Sequence, residues 1–214
     1  MGREGQLKSW YGKGDNAMVS IPMALVDFIP VILYCLSAVM LQKDFYDRMS
    51  KGAFALFSAG TIMSIIAGLF KATWKLLFAL DLCDFDRLNK SFFPLQSVGF
   101  VLAGIALMAM VFVKNKGTSL HSVAPAVYAG TGLFIVLMIL GLCGMFLGLS
   151  VEAKRRKKIS AMVLFIITFI FMLMMGYLSS NNFEKASMNW ISEGVNVIGW
   201  SIFLIGTKIL TQKP

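Results

Sequence analysis

Charge is scarce in this chain. Only 14% of its residues are Asp, Glu, Lys or Arg, against about 25% in an ordinary soluble domain, which leaves too little polar surface to cover a water-facing globule. Histidine occurs once, at His121, and this excludes a histidine-rich metal centre. Ser119 and Ser122 flank it in a loop, but neighbours this close do not make a triad without a distant partner. The three cysteines, Cys35, Cys83 and Cys143, are odd in number and widely spaced, so neither a disulfide framework nor a zinc site is expected. A P-loop, a nucleophile elbow and an H-E-x-x-H helix are all missing. Long polar stretches are absent after the first twenty residues. That segment, MGREGQLKSWYGKGDNAMVS, has no apolar h-region to make it a signal peptide. Gln6 stands where a myristoylation signal needs Ser or Thr.

What the chain has is apolar length: 57% hydrophobic residues and a mean hydropathy of +0.75 over 214 residues. A helix needs roughly 20 mostly apolar residues to cross about 30 Å of hydrocarbon. Six runs qualify, at about 21–41, 53–76, 93–113, 124–149, 160–179 and 189–210. Backbone groups in lipid must be satisfied within the segment, so each run reads as a helix. The expected fold class is an all-α integral membrane protein, a bundle of about six transmembrane helices. A polar segment over 1–20 precedes one bundle over 21–212, and the expected localisation is the cell membrane.

Short loops predict that successive helices are antiparallel neighbours. With six spans, the N-terminal segment, the second and fourth loops and the C-terminal tail share one side, which holds the larger share of Lys and Arg. The positive-inside rule makes both termini cytoplasmic. The run Lys154, Arg155, Arg156, Lys157 and Lys158 decides most of this and reads as a topology anchor, with anionic lipid as its other use. The net charge of +9 resides in these loops, and nucleic-acid binding has no support beyond charge. Small residues four apart, Gly60, Ser64 and Gly68, then Gly99 and Ala103, then Gly144 and Gly148, favour close packing within the bundle, with a homodimer face as the alternative. Pro30 is placed to kink the first span; Pro125 stands at the start of the fourth.

Charges inside spans cost at least about 2.5 kcal/mol each at the bilayer centre and call for a partner. Asp27 lies about 9 Å into the first span, a depth that Lys71 and Lys75 should share from the opposite-running second span. Those lysines are four apart and so on one face. With Trp74 and Gln96 they form the leading candidate ligand site, Asp27, Lys71, Trp74, Lys75 and Gln96, placed in the cytoplasmic leaflet under the acidic loop of Asp81, Asp84 and Asp86. Asp27 and Lys71 are the expected pair. The bland alternative is that both lysines snorkel to the headgroups. A second group, Tyr128, Tyr177, Glu193 and Asn196, is expected to line a separate outer pocket or an interfacial belt.

In architecture alone, six helices in about 200 residues with both ends inside resemble the substrate-binding subunits of energy-coupling-factor vitamin transporters. The first span, IPMALVDFIPVILYCLSAVML, departs from the alanine-every-four pattern with which those subunits dock their partner, so no residue role carries over. Paired intramembrane charges favour a transport or solute-binding protein for a small molecule, with an anionic one among the candidates. The alternatives are a signalling or accessory subunit binding a protein or anionic lipid, and a lipid-acting enzyme using the acidic loop. Enzyme activity, catalytic residues, metals and cofactors are not indicated.

Overall fold

The structure is a computed structural model that describes residues 20–112, 131–180 and 186–212. Every regular element among them is an α-helix: α1 Ile21–Phe45, α2 Lys51–Ala79, α3 Asp86–Phe112, α4 Thr131–Arg155, α5 Ile159–Ser180 and α6 Ala186–Thr211. All six are long and apolar enough to cross a membrane. Their outward faces carry Ile32, Leu140, Leu147 and Ile205, each more than half exposed. Such faces suit hydrocarbon and not water. Phe45, Phe57, Phe165 and Phe203 are fully buried between the helices.

Most helices extend beyond the apolar runs. The fourth run, expected at 124–149, is helical from Thr131 through the basic residues to Arg155; residues 124–130, with Pro125, lie outside the described residues. The helix persists because Glu152 and Arg156 form a pair across one turn, 2.8 Å apart.

The small residues are used within the bundle, as expected. A Cβ on Gly60 would stand 2.5 Å from the Gly99 carbonyl oxygen of α3, and one on Gly141 would stand 2.5 Å from the Phe100 carbonyl carbon. Only glycine permits backbones this close.

The packing order corrects the antiparallel expectation. Gly141 lies against Phe100, Gly144 against Gly104 and Gly148 against Leu107, and Arg155 donates to the Val111 carbonyl at 2.5 Å. Both numbers rise together, so α3 and α4 are parallel, and Phe112 and Thr131 stand at opposite ends of the bundle. Everything after α3 is therefore inverted relative to the simple alternation. Ser20 caps α1 at the end that holds Lys75, whereas Gln212 accepts from Lys158 at the other end. The two described ends of the chain thus lie at opposite ends of the bundle, contrary to the shared side expected for both termini.

Candidate functional site

The site begins with a proline. Pro30 has no N–H to give the Val26 carbonyl, and its ring crowds that oxygen. The helix α1 is accordingly interrupted at Asp27, between Ile21–Val26 and Phe28–Phe45. Asp27 keeps its backbone bond to Met23, at 3.1 Å, and its side chain is buried, 8% exposed.

Its partner is Lys75 and not Lys71. Lys75 Nζ lies 2.5 Å from Asp27 Oδ2 and 2.7 Å from Glu193 Oε1. Glu193 was expected in an outer pocket on the far side. Because α6 runs parallel to α1, it arrives at the level of Asp27 instead. The two groups expected apart are thus one: three helices contribute a buried triad of two carboxylates and one ammonium. Hydrogen bonding of this charge-assisted kind is what makes such a cluster tolerable away from water.

Lys71 is one turn from Lys75 and is differently placed. Among the described residues no carboxylate lies within 4.0 Å of it. Its ammonium sits over the Phe92 ring, 4.4 Å from the centroid, a favourable cation–π position. It borders a cavity of about 220 Å³ enclosed by residues of all six helices. Asp27, Gln96, Glu193 and Asn196 line the same cavity, with Phe92 and Phe93 beside them. One heptad deeper, about 10 Å along the axis, the wall becomes Tyr34, Ser64, Phe100 and Trp200, with Met138 and Met172. Tyr34 packs on Trp200 at 4.7 Å and edge-on to Phe100 at 6.2 Å, and these rings form the floor.

Of the residues singled out by sequence, Asp27, Lys71 and Gln96 line the cavity and Lys75 ties its charged rim. Asn196 and Glu193 join them. Trp74 does not line it: its indole N–H donates to Asp84 at 3.0 Å and its ring stacks on Phe78. Tyr177 is 71% exposed and away from the cavity, and Tyr128 lies outside the described residues. The acidic loop is largely engaged, Asp84 with Trp74 and Asp86 with Lys90. Sequence reading missed the floor. The signal was there in heptad spacing, since Tyr34 is seven residues from Asp27, Trp200 seven from Glu193 and Ser64 seven from Lys71, hence on the same faces.

The opposite end has a second charged cluster. Arg156 reaches Asp44 of α1 at 2.6 Å, Glu152 at 2.8 Å and the Leu210 carbonyl of α6 at 3.3 Å. Lys158 donates to the carbonyls of Ile209 and Leu210, and Arg155 caps the last turn of α3. Three of the five basic residues expected to serve as anchor or lipid site are therefore bound to helix C-termini, where carbonyls lack intrahelical partners.

Comparison with family models, curated proteins and solved structures finds no match to this chain, so the site stands on its own geometry.

Proposed function

We propose that this protein is a cell-membrane solute-binding or transport protein that takes a small molecule carrying an anionic group into the six-helix cavity. The observation that supports it above all is Lys71: a cation bordering a cavity of about 220 Å³ that Gln96 also lines, with no carboxylate in contact among the described residues. A lysine needed only to neutralise Asp27 would sit where Lys75 sits. The cavity is smaller than the roughly 300–1,000 Å³ typical of drug-sized sites, which favours a small solute.

Orientation follows from the revised packing. Among the described residues, Lys43, Arg48, Lys51, the basic run 154–158 and Lys208 gather at the Arg156 end, against Lys71, Lys75, Arg87 and Lys90 at the cavity end. The positive-inside rule then turns the Arg156 end to the cytoplasm and the cavity to the outer leaflet, the reverse of the expectation from loop alternation. Cys83 is exposed at the cavity end. In intact cells an impermeant maleimide should label it, while a Lys157→Cys variant in a Cys83→Ser background should label only after lysis; the opposite pattern refutes this orientation.

The ligand reading is tested by thermal unfolding of the purified full chain against small carboxylate- and phosphate-bearing compounds. At least one should raise the midpoint of the wild type and leave Lys71→Met unmoved. If none does so, or if the shift survives in Lys71→Met, the reading is wrong.

A further inference from the structure

The cavity has two electrical poles. At one, the carboxyl groups of Asp27 and Glu193 share the single ammonium of Lys75. At the other, Lys71 has no carboxylate in contact among the described residues and rests over Phe92. Lys71 and Lys75 are four residues apart on α2, about 6 Å along the axis.

The unmet bonding capacity is of two kinds. Glu193 is only 6% exposed, lines the cavity, and its Oε2 has no hydrogen-bond partner among the described residues. A carboxylate oxygen accepts, so the group that completes it must be a donor, an O–H or an N–H, and a cationic N–H makes the stronger bond. The Lys71 ammonium only donates, so its counterpart must be an acceptor, best an anionic one. Beneath both poles the wall is Tyr34, Phe100, Met138, Met172 and Trp200, against which a polar group would lose hydration without a partner.

Resting on the reading of this cavity as a ligand site, we infer that its ligand is a zwitterionic amino acid with a large apolar side chain. The ligand carboxylate faces Lys71, its ammonium faces Glu193, and its side chain lies on the Tyr34–Trp200 floor. A plain carboxylate leaves the Glu193 pole unmet. A plain amine leaves Lys71 unmet. A free amino acid carries both groups on one carbon and can meet both residues, which line the same cavity.

The test is calorimetric binding to the full chain in detergent, with L-phenylalanine and L-leucine against 3-phenylpropionate, which lacks the ammonium, and phenethylamine, which lacks the carboxylate. At least one amino acid should bind about tenfold or more tightly than both analogues, since a site with buried polar groups rejects ligands that leave them unpaired. Lys71→Met should erase the advantage of L-phenylalanine over phenethylamine, and Lys71→Arg should retain it. If 3-phenylpropionate binds as well as L-phenylalanine, the zwitterion inference falls while the anionic-ligand function stands. If phenethylamine binds as well, both fall. Binding of none of the four probes overturns the inference, and the function is then decided by the carboxylate and phosphate panel. Persistence of the amino-acid advantage in Lys71→Met also overturns it.

Discussion

The two ends of this bundle hold similar charges in different arrangements. At the Arg156 end one guanidinium is met by Asp44 and Glu152, by the Leu210 carbonyl and by the Phe45 ring, 5.6 Å away. Cations there cap the carbonyl ends of α3 and α6, and helices are tied together. At the Lys75 end the triad also ties three helices, but a further cation, Lys71, is left over beside a cavity. At one end the charges tie helices to one another; at the other a cation stands beside a cavity, and that is the basis of the proposed ligand site.

The largest effect should come from breaking the clamp. Arg156→Met leaves Glu152 without its cation and Asp44 with only Arg48, 3.8 Å away, and removing one partner of a buried pair costs about 3–5 kcal/mol. Thermal unfolding should show that loss, and Asp44→Asn combined with Arg156→Met should lose less than the two changes summed. Lys75→Met should cost about 2–4 kcal/mol for the same reason, the lower range reflecting a rim that borders open space. Lys71→Met, by contrast, breaks no ion pair and should cost less stability than Lys75→Met while abolishing ligand-induced stabilisation. A Lys71→Met variant as unstable as Lys75→Met would erase the distinction between the two lysines.

Backbone contact between the ends gives an intermediate effect. Gly60→Ala and Gly141→Ala each push a Cβ into a neighbouring backbone and should cost about 1–3 kcal/mol. Gly52→Ala meets nothing within 4 Å and should be neutral or slightly stabilising, by up to about 1 kcal/mol through helix propensity. The smallest effect is expected at the exposed Trp74–Asp84 bond, where Asp84→Asn should stay within about 0.5 kcal/mol with ligand response intact.

Hydropathy made the existence of the six helices legible, because a span of lipid demands an apolar run whatever the packing. It did not carry direction. Direction was inferred by alternation through the short loop KNKGTSLHS, and a single failure there inverts every later helix. Gly104 against Gly141 and Gly144 settles α3 and α4 as parallel, and that contact is invisible to a count of spans. Glu193 was consequently expected on the wrong side, and the basic run on the side of Asp27. Asp27 itself was legible as a short charged side chain in an apolar run. Which lysine it meets was not, since Lys71 and Lys75 are four apart and share a face.

The most direct measurement compares ligand-induced shifts in unfolding midpoint for the wild type, Lys71→Met and Arg156→Lys. A compound that binds the cavity at a hundred times its dissociation constant stabilises by about 2.7 kcal/mol. The expected result is that increment in the wild type and in Arg156→Lys, from a lower starting midpoint, and none in Lys71→Met. A full increment in Lys71→Met, or its loss in Arg156→Lys alone, would contradict the assignment of one end as clamp and the other as ligand site.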